Sequence, residues 1–310
     1  MAGSAKPSTL TAEAAGALMR RATTAALGVA ITLCLAKAVV WLMTDSVALL
    51  GSLLDSLLDI VATGLNFVAV RHALVPADRE HRFGHGKAEA LSGLAQGAFI
   101  AGSALFLFVQ SAGRLFHPPT VDFAIAGIGV TVFSLAMTIA LVTFQRVVKA
   151  QTGSIAIAAD ELHYRSDLIL NAGVLLAFAL SGIVANVPLA DPAIGATIAV
   201  YIGWSAYRIV RQSYDHLMDR ELADVERDRI KAIVRANPNV VSMHDLRTRR
   251  SGRHVFVQLH LELAPAMPLV EAHRISDEVE RAILAEFPEA EVLIHEDPAG
   301  QEAPQAARFA

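Results

Sequence analysis

Six segments of this 310-residue chain stay apolar for long enough to cross a lipid bilayer, and they constrain its fold more than any other feature. A helical span needs about 20 mostly apolar residues. The segments run 22–43, 48–71, 90–116, 121–146, 154–183 and 187–211. The first does not read as a cleaved signal peptide, because it is too long, carries Lys37 and lacks a small-residue cleavage site followed by soluble sequence. The fifth opens on Asp160-Glu161-Leu162-His163-Tyr164-Arg165-Ser166-Asp167, so a hydropathy window can miss its start.

Composition supports a membrane domain followed by a soluble one. The chain is 54% hydrophobic and 18% charged, with a mean hydropathy of +0.46, whereas a soluble domain carries about 25% charge. Half of its 56 Lys, Arg, Asp and Glu residues lie from Arg220 onward. A net charge of −4 without a strongly basic block argues against nucleic acid as a partner. The single cysteine, Cys34, excludes an internal disulfide and any multi-cysteine metal site.

Loop charges set the orientation. Arg20 and Arg21 precede the first span, and Arg71, Arg79, Arg82 and Lys87 lie between the second and third. Arg146 and Lys149 lie between the fourth and fifth, and Arg208 and Arg211 close the sixth. The opposite loops hold almost none, Arg114 excepted. Positive residues stay inside, so both termini are expected in the cytoplasm. Residues 1–21 are expected as a mobile N-terminus, 22–211 as the six-helix membrane domain, 212–298 as a cytoplasmic domain and 299–310 as a mobile tail.

The cytoplasmic part reads α-β-β-α-β. A helix over 223–236 stops at Asn237-Pro238, and strands over 240–249 and 254–263 flank Ser251-Gly252. A second helix covers 268–286 and a last strand 291–296. In 254–263, Val255, Val257, Leu259, Leu261 and Leu263 form a core face, and His254, Phe256, Gln258, His260 and Glu262 face away.

Ionisable residues inside the spans carry the chemistry. Asp55 and Asp59 in the second span are one helical turn apart and share a face, which Ser52, Ser56, Thr63 and Asn66 extend. The fifth span holds Asp160, His163, Asp167 and Asn171, the last three at strict i,i+4 spacing. A carboxylate near the bilayer centre costs about 2.5–3.5 kcal/mol on insertion scales, and such residues face the bundle interior or water. The bland alternative is polar glue between helices. Asp55, Asp59, His163 and Asp167 can close a four-ligand shell that suits tetrahedral Zn²⁺, and the imidazole disfavours Mg, Ca or Mn. Spacing alone leaves open whether the second and fifth spans touch. Three carboxylates and Zn²⁺ sum to −1, while the emptied, deprotonated site is −3. Crowded like charges resist full ionisation, so metal leaving as protons enter is the expected exchange.

At these residues the sequence resembles the cation diffusion facilitator family, and within it the bacterial ferrous-iron/zinc efflux pumps. The resemblance runs from the first span through Pro298. It is carried by Asp55-Ser56-Leu57-Leu58-Asp59, by Pro76-Ala77-Asp78 with His81-Arg82-Phe83-Gly84-His85-Gly86-Lys87-Ala88-Glu89, by His163-Tyr164-Arg165-Ser166-Asp167 and by Ile294-His295-Glu296-Asp297-Pro298. It implies an α-helical membrane protein with six transmembrane helices and a C-terminal cytoplasmic α+β domain of ferredoxin/metallochaperone-like type. It further implies a homodimeric exporter of divalent metal in a bacterial inner membrane, exchanging Zn²⁺ (or Fe²⁺ or Cd²⁺) for protons by alternating access. The family's transport site falls on Asp55, Asp59, His163 and Asp167, its dimer charge interlock on Lys87 and Asp219, and its hydrophobic gate on Leu162.

Two further clusters follow. Asp78, His81 and His85 have a D-x₂-H-x₃-H spacing that could hold a metal at the cytoplasmic mouth, although Arg79, Arg82 and Lys87 crowd it. In the tail, the resemblance implies a regulatory binuclear zinc site on His244, His260, His273, His295 and Asp297. Glu296 stands where glutamine is expected in the nearest relatives. His72, His117, His216 and His254 match no site. A membrane metallohydrolase is disfavoured, because His295-Glu296 lacks a second histidine four residues on. Gly93 and Gly97 form a small-xxx-small pair suited to close helix packing, at a dimer axis or elsewhere in the bundle.

Overall fold

The computed structural model describes residues 11–44, 47–114, 125–183 and 190–301. Six long helices come first: α1 (Ala12–Thr44), α2 (Val47–Ala73), α3 (Lys87–Arg114), α4 (Ile125–Thr152), α5 (Ile155–Ile183) and α6 (Ala190–Leu217). Each has 27 to 33 residues, or about 40–50 Å at 1.5 Å per residue. Among the described residues, four stretches are long and apolar enough to cross a membrane: Glu13–Met43, Ser52–Ala73, Lys87–Gly113 and Gly129–Thr152. The start of α5 is not one of them, since it carries Asp160, Glu161, Arg165 and Asp167. Leu42, Leu58, Phe106 and Trp204 are largely exposed on the bundle surface, as side chains meant for lipid would be.

The chain divides into two compact units, Met1–Ala77 with Lys87–Tyr214, and Asp78–Gly86 with Asp215–Ala310. In the helical unit, Met19, Ala22, Val70, Val148, Ala156 and Ile157 form one buried cluster. It joins the start of α1 to the ends of α2 and α4 and the start of α5. Residues 12–21, expected as part of a mobile N-terminus, are helical instead. Helix α1 begins at Ala12, and Ala15 and Met19 are fully buried. Residues 1–10 and 302–310 lie outside the described residues, as does His117. The glycine pair packs against the protomer's own helices. A Cβ on Gly93 would press on Ile155 Cγ2 at 2.9 Å, and one on Gly97 on Val210 Cγ2 at 2.6 Å. Small residues here let α3 approach α5 and α6.

The second unit holds α7 (Asp224–Arg235), β1 (Ser242–Ser251), β2 (His254–Leu263), α8 (Leu269–Glu286) and β3 (Ala290–Pro298). Its sheet has the order β1-β2-β3, antiparallel across the first pair and parallel across the second. The parallel pair requires a crossover, which α8 supplies. The expected β2 alternation puts Val255, Val257, Leu259, Leu261 and Leu263 into a core with Ile230, Val234, Ile275, Val279 and Ile283. The helices thus cover one sheet face.

Phe256 departs from expectation. It points away from that core yet is only 6% exposed, because the 78–86 segment folds over it. The Phe83 and Phe256 rings meet edge to face at 5.6 Å. The Arg249 guanidinium lies 4.2 Å from the Phe256 centroid and 4.8 Å from that of Phe83, a cation–π arrangement. Any Cβ on Gly86 would collide with the Ser251–Gly252 backbone. The segment expected as a membrane-domain loop therefore packs on the β1–β2 hairpin.

Candidate metal centres

Helices α2 and α5 meet, and their polar stripes face each other. His163 Nε2 lies 3.1 Å from Asp59 Oδ1 and 3.8 Å from Asp167 Oδ2. One ligand atom from each of Asp59, His163 and Asp167 falls within 4.8 Å of the others. The i,i+4 step on α5 stacks His163 over Asp167, and α2 brings Asp59 from the facing helix. One turn further on, the Tyr164 and Thr63 hydroxyls are hydrogen-bonded at 2.9 Å, and Tyr164 donates to Ala26 O at 3.3 Å. All three triad side chains retain partial exposure, between 15% and 35%. Asp55 sits one turn before Asp59 on the same face, is more exposed, and is not part of this three-residue group. Leu162 turns the other way, packing with Ile100, Ala104, Ile202 and Ala206.

A buried polar layer lies beside the triad, and sequence reasoning found only part of it. Asp160 is fully buried and accepts hydrogen bonds from Gln96 Nε2 at 3.2 Å and Gln145 Nε2 at 2.6 Å. Ser92 donates to Asn66 Oδ1 at 2.8 Å, whereas Asn171 is exposed. Glu161 is held by Lys149 at 2.6 Å and Arg146 at 3.1 Å. These side chains bind α2, α3, α4 and α5 together, so the glue reading holds for Asp160, Glu161 and Asn66.

In the 78–86 segment, Asp78 Oδ1 accepts the backbone N–H groups of Glu80 at 2.9 Å and His81 at 2.7 Å. The His81 amide, more than any other group, holds the Asp78 carboxyl below its ordinary range, with the Glu80 amide and the two imidazoles adding to it. His85 Nε2 is 3.4 Å from Asp78 Oδ2 and His81 Nδ1 is 3.5 Å from Oδ1, with ring centroids 4.5 Å apart. His85 is buried and His81 exposed. The three form a second candidate metal group.

The third group lies on the sheet. His244, His260 and His295 are aligned across β1, β2 and β3, so three imidazoles form a row on the face away from α8. The Asp297 carboxylate, 4% exposed, serves all three. Its Oδ2 lies 2.7 Å from His260 Nδ1 and 3.6 Å from His244 Nε2, and its Oδ1 lies 3.2 Å from His295 Nε2. His244, His260 and Asp297 meet the three-ligand geometry. His273 is not among them. It lies exposed on α8, 3.8 Å from Asp277, on the element that covers the other sheet face. Glu296 also points to the helix side, accepting a hydrogen bond from Ser276 at 2.7 Å, so it adds no ligand to the imidazole row. Two neighbours were missed from sequence. Glu262 lies 3.2 Å from His244 Nδ1, and Asp245, with φ +47° at the β1 irregularity, binds Arg247 at 3.0 and 2.8 Å. That guanidinium is the main reason the Asp245 carboxyl is held low.

Asp219 has φ +54° and faces Arg249 of its own protomer at 3.5 Å. Lys87 begins α3 in the other compact unit.

Comparison with known proteins gives one consistent answer. Residues 23–218 match the model of the cation efflux transmembrane domain, and residues 222–299 match that of the cation efflux protein cytoplasmic domain. The chain is 48% identical over 283 residues to the cation-efflux pump FieF of Salmonella paratyphi A, covering 91% of this chain and 94% of that one. The FieF pump of Salmonella arizonae matches at the same identity and coverage. Among solved structures, the zinc form of the putative zinc transporter CzrB is 37% identical, with a TM-score of 0.25, covering 27% of this chain and 98% of that one.

Proposed function

The chain belongs to the cation diffusion facilitator family of cation efflux transporters, and from that premise we propose that it is a proton-coupled exporter of Zn²⁺. The observation carrying this reading is the convergence of Asp59 from α2 with His163 and Asp167 from α5. Asp55 lies one turn away on the same face as the fourth ligand. Nitrogen and oxygen donors with an imidazole among them suit Zn²⁺, and suit Fe²⁺ or Cd²⁺ as alternative cargo. Six spans place both termini and the sheet unit in the cytoplasm of a bacterial inner membrane, by the charge asymmetry of the loops.

In this reading, cytosolic metal reaches the half-exposed triad and displaces its protons. A rocking of the bundle turns the site outward, and protons returning to the carboxylates expel the ion. The sheet unit senses metal at His244, His260, His295 and Asp297 and joins the tails of a homodimer. Lys87 and Asp219 hold the two protomers together, and Asp78, His81 and His85 relay or regulate.

The test is Zn²⁺ flux into proteoliposomes with and without an imposed pH gradient, for wild type and Asp59→Ala. Flux driven by the gradient and abolished by the substitution is expected. Gradient-independent flux in wild type points to a channel. Zinc bound by the tail without flux points first to Fe²⁺ as cargo and then to a sensor.

A further inference from the structure

Helix α1 supplies no ligand to any cluster, yet it carries Lys37 within its apolar span. The side chain is half-buried. Its Nζ donates to Ser52 O at 3.2 Å and to the buried Ser56 Oγ at 2.6 Å. These acceptors lie on either side of Asp55 in α2, so the ammonium is anchored on the helix that presents both span-2 carboxylates. Among the described residues it joins no ion pair. A cation in an apolar helix is costly and faces a functional partner by default. Joining two helices would not require one, since a neutral amide makes the same two hydrogen bonds.

We propose that Lys37 is a fixed counter-cation of the α2–α5 metal site, a positioning residue that weakens the site's hold on a divalent ion enough for release. The inference rests on the transport-site reading above. Asp55, Asp59 and Asp167 with a divalent ion sum to −1, and Lys37 brings the loaded site to zero. Without the lysine, the loaded site keeps a net negative charge and the same ion is held more tightly. A fixed unit charge beside a divalent ion, at the effective dielectric typical of proteins, changes affinity by at least about tenfold.

The test uses full-length protein carrying Asp78→Ala and Asp297→Ala, so that the membrane site is read alone. Radioactive Zn²⁺ binding at equilibrium and proton-driven flux in proteoliposomes are measured for this parent, Lys37→Gln, Lys37→Arg and Asp59→Ala. Lys37→Gln removes the charge and leaves an amide donor on the same side of α1. It is expected to bind Zn²⁺ about tenfold or more tightly and to turn over correspondingly more slowly. Lys37→Arg is expected to restore the parent's affinity. Parental affinity and flux in Lys37→Gln, with binding lost in Asp59→Ala, would reduce Lys37 to a helix bridge and overturn the proposal alone. Parental binding in Asp59→Ala would overturn the site reading beneath it. Lys37→Met is the second neutral variant. Failure of both neutral variants to fold, with Lys37→Arg folded, would assign the charge to stability and overturn the proposal as well.

Discussion

In the helical unit the ligand triad is two carboxylates and one imidazole, all partly exposed. In the sheet unit it is two imidazoles, flanked by a third, around one carboxylate that is 4% exposed. The helical triad is rich in groups that can trade a metal for protons, and each member keeps 15% to 35% of its side-chain surface exposed. The sheet triad has one carboxylate, enclosed by the imidazole row, with Glu262 and Asp245 at its edge. In the proposed function, metal moves through the first and is registered at the second.

The sharpest way to break the contrast is to remove the carboxylate from each site. Asp59→Ala takes away the only α2 member of the helical triad, and proton-driven flux is expected to fall about 100-fold or more. Asp297→Ala removes the oxygen donors common to His244, His260 and His295, and zinc binding by the sheet unit is expected to weaken by about 100-fold. Flux assays report the first and calorimetric zinc titration of the full-length protein the second. If either substitution disables both readouts equally, the two clusters are one functional site and the contrast is lost.

A second prediction separates liganding carboxylates from gluing ones on the same helix. Asp160 is three residues from His163, yet it is fully buried between two glutamine amides. Asp160→Ala leaves two buried donors without their acceptor, which costs about 1–3 kcal/mol. Thermal unfolding in detergent should therefore shift downward by several degrees. Asp167→Ala, whose side chain is 35% exposed, should shift it far less while abolishing flux.

These sites differ in how legible they are in sequence, for a geometric reason. A helix returns to the same face every 3.6 residues, so Asp55/Asp59 and His163/Asp167 are visible as i,i+4 pairs in an apolar run. The strand limits of β2 and its core face were equally plain from alternation. Partners across a bundle or a sheet leave no such mark. Gln96 and Gln145 read as ordinary polar residues until Asp160 is placed between them. Lys37 read only as an argument against a signal peptide. The role of Phe256 depends on Phe83, which arrives from a segment between two spans, and alternation alone assigned it to an exposed face.

That contact gives the third prediction. Phe83→Ala removes an edge-to-face ring pair and half of the Arg249 cation–π stack, worth about 1 kcal/mol together. Hydrogen exchange of the 78–86 amides should quicken by about fivefold, while that of the α8 amides stays unchanged. Equal loosening of α8 would mean that the segment is part of the sheet unit's global stability rather than a locally docked strap.

The smallest expected effect is a pH dependence in the same segment. The Asp78 carboxyl is held below its ordinary range chiefly by the His81 amide. A depressed folded-state value means that the carboxylate stabilises the turn at every pH above its unfolded value of about 3.9. That contribution is lost only as pH falls through the lower folded value. Protection of the His81 amide, once corrected for intrinsic exchange, should therefore be flat from pH 7 to about pH 4 and decline below it. In Asp78→Asn the acceptor oxygen is kept and the ionisation removed, so the acid decline should vanish. Loss of protection well above pH 4 in the wild type would mean that the imidazoles, and not the backbone amides, hold this carboxylate. The segment would then be organised by its imidazoles rather than by its own turn.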